Sequence, residues 1–398
     1  MDWLESHSAW IIALPWFLGP LAILLRMSDS RRLSEYEPAR GPLLPRVSVI
    51  VPARNEALNI ERSVRSILAT AYDNVEVIVV DDHSADGTGD VARRVIGNDP
   101  RGCVATPPPL PSGWFGKQWA CTHGAALATG ELLLFTDADT WHAPDLLPRS
   151  VTALQQRGAD LLSVGGRQET GTFWEKVVQP VMFVGLAAVY GGTEAMSRSC
   201  TPRTKIANGQ FLLVRRDSYD ALGGHTAVRA FVAEDMMLAQ AWTAAGRAVH
   251  LVVGLEQFST RMYRSLDEVI RGWGKNIWAA GRHVIGPHPV RLALMRVCLP
   301  LLPSIGAIPV VAFVFGALGV CSPWWMAVGA WAYVYQTIIW FTLYALSKYK
   351  PMYALLYPLG CVVASYLYAR ASTRGDRTER HGREYRAARA RCPPPHRR

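Results

Sequence analysis

Apolar residues gather toward the two ends of this chain. Runs at 9–25, 297–320, 324–346 and 353–369 bracket a polar middle, so the chain has to place long uncharged helices out of water and fold the middle as a separate body. A membrane-spanning helix needs about 20 apolar residues. The runs 297–320 and 324–346 meet that length, while the first and last are shorter and lean on flanking aromatic residues. Acidic Asp2 and Glu5 precede the first run and no small-x-small cleavage pattern follows it, so it is expected to stay as an anchor rather than leave as a signal peptide.

Arg26, Arg31 and Arg32 follow the first run, and Lys348 and Lys350 separate the third from the fourth. By the positive-inside rule the polar middle faces the cytoplasm, which places the protein in the inner (cytoplasmic) membrane. The carboxyl tail strains that count. From residue 370 onward there are ten arginines and three acidic residues, and four full spans would put this charge outside. Either the run 353–369, broken by Pro358, is re-entrant or interfacial, or the stretch holding Pro300, Pro303 and Pro309 does not span simply; a cytoplasmic tail is the expectation. Arg374, Arg377, Arg380, Arg383, Arg386 and Arg389 recur at every third position, which on a helix makes a basic face for anionic lipid headgroups; a solvated, unstructured tail is the alternative. Nucleic acid is not an expected partner, since the rest of the chain is nearly balanced in charge and the basic run adjoins a membrane segment. The seven cysteines are scattered without zinc-ligand spacing, so neither a disulfide framework nor a structural metal is implied. The expected divisions are an anchor and linker at 1–45, an α/β domain at 46–290, apolar helices at 291–370 and a basic tail at 371–398.

Within the middle, the β-branched run 47–52 ends in a loop and then shows helical spacing through Ile60, Val64, Ile67 and Leu68. A second strand at 75–80 ends in Asp81-Asp82, turns through Ser84-Ala85-Asp86-Gly87 and enters a helix at 88–95. A third apolar strand, 132–136, runs into Asp137-Ala138-Asp139. Continuous apolar strands alternating with helices predict a largely parallel sheet covered on both faces, which binds ligands at the carboxyl ends of its strands. Two carboxylates at such an end suit Mg²⁺ or Mn²⁺, hard cations commonly held by one or two carboxylates plus the phosphates of a substrate; a turn or cap is the other reading. The dinucleotide fingerprint Gly-x-Gly-x-x-Gly is absent after the first strand, where Pro52-Ala53-Arg54-Asn55-Glu56 stands instead.

Four ordered motifs, Val49 to Glu56, Val79 to Thr88, Asp137-Ala138-Asp139 and Glu234-Asp235, resemble family 2 glycosyltransferases of the nucleotide-diphospho-sugar (GT-A) fold over roughly residues 46 to 285. The stretches Gly113 to Ala120, Ala207 to Phe211 and Gly272 to Asn276 resemble the membrane-bound subgroup acting on hydroxycarotenoids, and hopene-associated glycosyltransferases are similar. The resemblance implies an α/β GT-A domain flanked by transmembrane helices. It implies a UDP-sugar donor bound around Pro52, Ala53, Asn55, Glu56, Asp81, Asp82, Lys117 and Asp137. Asp81 and Asp82 would accept from uracil or ribose, or else cap the turn; Lys117 is a compact cation suited to a diphosphate, or else a solvated surface lysine. Asp139 and Asp137 would hold Mg²⁺ or Mn²⁺. Asp235 is the implied general base, taking the acceptor proton during an inverting attack, with Glu234 orienting it or binding the acceptor; helix capping by Asp235 is the plain reading. His142 reads as a polar cap sooner than as a metal ligand. Trp114, Asn208, Gly209, Arg271, Trp273 and Lys275 are expected near the acceptor or the diphosphate, a solvent-facing basic stripe being the alternative for Arg271 and Lys275.

The processive motif Gln-x-x-Arg-Trp is missing; Arg271 to Trp278 stands in its place, which favours transfer of one sugar over polymer synthesis. The apolar segment 173–190 is too short to span comfortably and reads as an interfacial helix beside the acceptor's path, or as a core helix. The expected activity is transfer of one hexose, glucose from UDP-glucose, to a hydroxyl of a carotenoid or related terpenoid lipid. Polyisoprenyl phosphate, glycerolipid and hopanoid acceptors are the alternatives, and a non-catalytic sugar-nucleotide-binding membrane regulator is the different class. Almost no ionisable residue lies in the apolar runs, which disfavours a transporter.

Overall fold

A computed structural model describes residues 2–285, 288–374, 377–380 and 383–386. The chain divides into two units that interleave along the sequence. One holds 30–169, 193–262 and 376–398; the other holds 1–29, 170–192 and 263–375. The interval 46–290 therefore contributes to both.

The first unit is α/β. Its strands are β1 (Val47–Ala53), β2 (Val75–Asp81), β3 (Gly102–Ala105), β4 (Leu132–Thr136), β5 (Thr140–His142), β6 (Leu161–Gly165), β7 (Arg167–Gln168), β8 (Phe211–Arg215), β9 (Val249–Val253) and β10 (Phe258–Thr260). Seven of them form one sheet in the order β3-β2-β1-β4-β8-β6-β9, and β5-β10-β7 form a small second sheet. All neighbouring pairs in the large sheet are parallel except those of β8, which runs against both β4 and β6. Period-2 alternation explains why its strands are apolar throughout: Val49, Val51, Val77, Val79, Leu132, Leu134 and Leu213 fill the core on one face, and Ile50, Ile78, Val80, Leu133, Phe135, Leu212 and Val214 fill the other. The largely parallel sheet expected from the sequence is present, with β8 as the reversed strand.

This topology positions the site. β2, β1 and β4 are adjacent and parallel, so residues 53–56, 81–82 and 137–139 leave the sheet along one edge. Because β8 is antiparallel and pairs Phe211 with Thr136, the turn entering β8 arrives at the same edge.

The other unit is helical. It contains Asp2–Ser28, Phe173–Tyr190, Leu266–Ile285 and the apolar helices that follow. Among the described residues, four segments are long and apolar enough to cross a membrane: His7–Ser28, Pro289–Ala317, Trp324–Leu346 and Pro351–Thr373. They match the four apolar runs, with the last extended to a full spanning length. Glycines let these helices approach closely. A Cβ on Gly329 would lie 2.5 Å from Pro309 O, and one on Gly360 would lie 2.5 Å from Val177 O. Gln336 Nε2 donates to Trp16 O at 3.1 Å, tying the first and third of these segments. Helix Phe173–Tyr190 packs its Val177 and Val181 side against Gly360, and Tyr344 OH donates to Lys176 O at 3.1 Å.

One expectation is corrected in the tail. Arg377–Arg380 (β11) pairs antiparallel with Arg383–Arg386 (β12), so these arginines are strand residues and do not continue a helical basic face. Arg374 ends the preceding helix, and Arg389 lies outside the described residues.

Candidate active site

Two loops at the sheet edge clamp each other. Asp82 N donates to Ala53 O at 2.9 Å, and Arg54 Nη1 reaches Asp82 O at 2.5 Å and Asp82 Oδ2 at 3.4 Å. Asn55 takes the left-handed region with φ +55°, which Asn tolerates better than most residues. Its N–H donates to Ser84 Oγ at 3.0 Å, and its Oδ1 accepts from Ala85 N at 2.9 Å. Glu56 N donates to Thr88 Oγ1 at 2.8 Å and Ala57 N to Asp86 Oδ2 at 3.0 Å, while Asn59 Nδ2 donates to Glu56 Oε2 at 2.7 Å. Asp81 Oδ1 accepts from Ser84 N at 3.1 Å, so Asp81 does cap its turn. Asp82 is buried against Arg54. Pro52 is the penultimate residue of β1, in register with Val80. Ser84, Asp86 and Thr88, which tie the two loops, stood inside the motif Val79 to Thr88 without an individual role; their Asp-Gly-Thr spacing was the available signal.

Asp137 follows β4, and its N–H donates to Gln210 O at 3.4 Å; Thr136 Oγ1 donates to the same oxygen at 2.8 Å. Asp139 Oδ1 is buried with no hydrogen-bond partner among the described residues. Burial, then the charge of Asp137, then that of Glu56 push the Asp139 carboxyl up to about 8. A buried, unpartnered carboxylate oxygen beside two further carboxylates is a place that a divalent cation fits. No group of three or more His, Cys, Asp or Glu side chains forms a closed metal cage among the described residues. A cation here would rest on Asp137 and Asp139 and take its remaining oxygens from elsewhere. His142 does not cap a helix. It is a buried β5 residue whose Nε2 lies 3.1 Å from Thr136 Oγ1 and 3.2 Å from Thr140 Oγ1, and burial lowers its pKa to about 3, keeping it neutral.

Lys117 lies in the first turn of helix Gly116–Leu127. Its Nζ lies 2.7 Å from Asp137 Oδ1 and 2.9 Å from Glu234 Oε1, and donates to Gly209 O at 3.3 Å. The solvated-lysine reading fails, since the side chain is 14% exposed and joins two carboxylates from separate elements. Upstream, Trp114 meets Trp119 edge-on at 5.0 Å, and Trp119 Nε1 donates to Pro108 O at 2.8 Å, which fixes the loop.

Glu234 and Asp235 open helix Glu234–Ala244. Asp235 Oδ2 accepts from Gly209 N at 2.8 Å and Oδ1 from Met236 N at 2.7 Å. Burial and the neighbouring Glu234 charge raise its pKa to about 6, against the lowering effects of Lys117 and these two N–H donors. Asn208 shapes the turn that presents Gly209: its N–H donates to Ser163 Oγ at 2.8 Å and its Nδ2 to Val164 O at 2.9 Å. Segment Asn208-Gly209-Gln210 thus binds Asp235 through Gly209 and the β4 end through Gln210. The structural part of Gln210 went unread in the sequence because it acts through a backbone carbonyl.

Arg271, Trp273 and Lys275 belong to helix Leu266–Ile285 of the other unit. Arg271 is exposed and paired with Asp267, whereas the Trp273 ring is buried against Phe183 at 5.4 Å. The Lys275 side chain lies outside the described residues.

Comparison with known proteins agrees with this architecture. The family pattern of Glycosyl transferase family 2 matches residues 48–223. The chain is 27% identical over 281 residues to a 4,4'-diaponeurosporenoate glycosyltransferase of Staphylococcus haemolyticus, covering 68% of this chain and 71% of that one. It is 30% identical over 139 residues to a dolichol-phosphate mannosyltransferase of Pyrococcus furiosus, covering 33% of this chain and 38% of the relative. Among solved structures, the mannosyltransferase PcManGT of Pyrobaculum calidifontis, in complex with GDP-Man and Mn²⁺, superposes with a TM-score of 0.52 at 22% identity, over 92% of this chain and 98% of that one. That likeness is one of fold: the α/β unit is GT-A-like.

Proposed function

We propose that this chain, a glycosyltransferase whose sequence carries a glycosyl transferase family 2 domain and, among the described residues, four membrane-length apolar helices, moves a single hexose, glucose from UDP-glucose, onto a hydroxyl of a carotenoid or related terpenoid lipid, with inversion at the anomeric carbon. The observation that carries the reading is the turn Asn208-Gly209-Gln210, which holds Asp235 at one end and the Asp137 strand end at the other. A base and a diphosphate-binding edge fixed to one short segment are what a displacement at a sugar carbon requires.

In this reading the nucleoside is held between the loops at Pro52 to Glu56 and at Asp81-Asp82. Mg²⁺ or Mn²⁺ would rest on Asp137 and Asp139, where a divalent cation supplies stabilisation of the departing diphosphate. Lys117 holds the side chains of Asp137 and Glu234 in place and adds positive charge near the phosphates. Asp235 accepts the acceptor hydroxyl's proton on a carboxylate whose two oxygens are already oriented by N–H donors. The acceptor oxygen forms its bond to the anomeric carbon as the carbon–oxygen bond to the diphosphate breaks. The electron pair leaves on UDP, and the proton stays on Asp235 until solvent removes it. The relative from Staphylococcus haemolyticus, named for a carotenoid-type substrate, supports the acceptor class, and the membrane-length helices support a lipid. The catalytic unit on the cytoplasmic face of the inner membrane follows from the arginines after the first apolar run.

Expression in a host making hydroxylated carotenoids and UDP-glucose tests this. Pigments from wild type and Asp139→Ala are compared by chromatography and mass spectrometry. A carotenoid heavier by one hexose in wild type alone is expected; its absence despite good membrane expression overturns the acceptor.

A further inference from the structure

Several polar side chains buried in the helical unit have no hydrogen-bond partner among the described residues, and two of them stand out by their place on neighbouring helices. Gln179, on helix Phe173–Tyr190, is fully buried, and neither its Oε1 nor its Nε2 has a hydrogen-bond partner among the described residues. Trp273, on helix Leu266–Ile285, is 7% exposed, and its Nε1 is likewise unpartnered. Their positions are linked. Phe183 packs edge-on to the Trp273 ring at 5.4 Å, and Gln179 lies four residues before Phe183, so it shares the helix face turned toward Trp273. Val178 and Met182, the preceding residues along the helix, are apolar and buried.

Leaving a buried amide and a buried indole N–H unsatisfied works against the fold. Apolar side chains of the same shape would fold at least as well. We infer that Gln179 and Trp273 form a subsite for a neutral hydroxyl on an otherwise apolar lipid, an inference that rests on the lipid acceptor proposed above. The donor and acceptor inventory fits one hydroxyl closely. A hydroxyl has one donor and two acceptor lone pairs; the glutamine carbonyl takes its hydrogen, and the glutamine amide and the indole N–H donate to its oxygen.

The same inventory disfavours an anion. A carboxylate or phosphate would face the Gln179 carbonyl with no hydrogen to offer it, and would need a cation. Glu175, one turn before Gln179, adds negative charge on that face while it caps its helix by accepting from Thr172 N and Gly171 N. Lys176 is turned away, its Nζ donating to Gly171 O at 2.6 Å and lying 5.5 Å from the Tyr353 ring centre.

The test uses the full chain in lipid nanodiscs without donor, and three probes sharing one carotenoid skeleton: hydroxylated, unsubstituted, and carboxylate-ended. Wild type is expected to bind the hydroxylated probe about tenfold more tightly than either other probe, the scale of a buried hydrogen bond or two. Gln179→Leu and Trp273→Phe are each expected to erase that preference while leaving binding of the unsubstituted probe and of UDP unchanged. Thermal melting should show Gln179→Leu as stable as wild type or more so, which separates lost recognition from lost folding. If wild type binds none of the probes, the carotenoid acceptor itself fails and this subsite with it. If wild type prefers the hydroxylated probe and both variants do so equally, the acceptor stands and the subsite is overturned.

Discussion

The backbone N–H of Gly209 donates to Asp235 Oδ2 at 2.8 Å, and a Cβ placed on Gly209 would lie 2.8 Å from that same oxygen and 3.0 Å from Asp235 Cβ. The glycine is therefore set by proximity, not by backbone conformation, and its missing side chain leaves the space that the Asp235 carboxylate occupies.

Gly209→Ala should push that carboxylate out of place while leaving the loops at 53–56 and 81–88 intact. A displacement near 1 Å can cost about 10²-fold in rate. The expected result is a kcat lower by about that factor with UDP binding unchanged, measured by product formation and by titration of UDP. A kcat within twofold of wild type would show that Asp235 is not the group the turn has to position.

Removing the Lys117 cation leaves Asp137 and the 5%-exposed Glu234 without their shared partner. Lys117→Met keeps the length of the side chain and should destabilise the fold by about 3 kcal/mol, the scale for breaking one side of a buried ion pair. Denaturant unfolding measures this, and an unchanged midpoint would mean that solvent screens the pair.

Asp235 carries a carboxyl raised to about 6 by burial and by Glu234, and a base works only when ionised. The rate should fall tenfold per pH unit below about 6. Since Lys117 lowers this pKa, the acidic limb should move to higher pH in Lys117→Met. Stability runs the other way: the folded chain is favoured most by this group below its ordinary value of 3.8 and loses that contribution as pH rises through 6. Asp235→Asn should cost about 10²- to 10⁴-fold and flatten the limb. A limb that persists in Asp235→Asn would assign the ionisation to another group.

The strands β1, β2 and β4 were readable because sheets covered on both faces need continuous apolar runs, and the polar residues that follow those runs stand where the strands end. Asp137, Asp139 and Asp235 could be singled out by type and spacing. Lys117 could be placed near phosphates, but its two carboxylate partners come from positions 20 and 117 residues further along, and no local pattern encodes such a meeting. The reversal of β8 was equally hidden, since a buried strand reads the same in either direction. Yet that reversal brings Gly209 to the edge where Asp137 lies. His142 was misread because a lone histidine shortly before a helix suggests a polar cap, whereas it lies in a strand where Thr136 and Thr140 solvate it internally. In the tail, a repeat of three suggested a helix and concealed an antiparallel strand pair.

Asp139 offers the sharpest division between folding and function. Its Oδ1 is buried without a hydrogen-bond partner among the described residues, and burial, Asp137 and Glu56 together disfavour its ionisation. Without a cation, ionising this group works against the fold, so Asp139→Asn, equal in shape and uncharged, should raise the melting temperature of the cation-free protein by a few degrees, about 1 kcal/mol for a domain of this size. With a cation the order reverses. A ligand at a hundredfold its dissociation constant stabilises by about 2.7 kcal/mol, so Mn²⁺ with UDP should lift wild type above the variant and leave the variant where it was. Differential scanning fluorimetry with Mn²⁺, with UDP and with both separates the two effects. Equal stabilisation of wild type and Asp139→Asn by the pair would remove Asp139 from the cation site, and a lower melting temperature in the cation-free variant would show that the buried carboxyl already has the partner it needs.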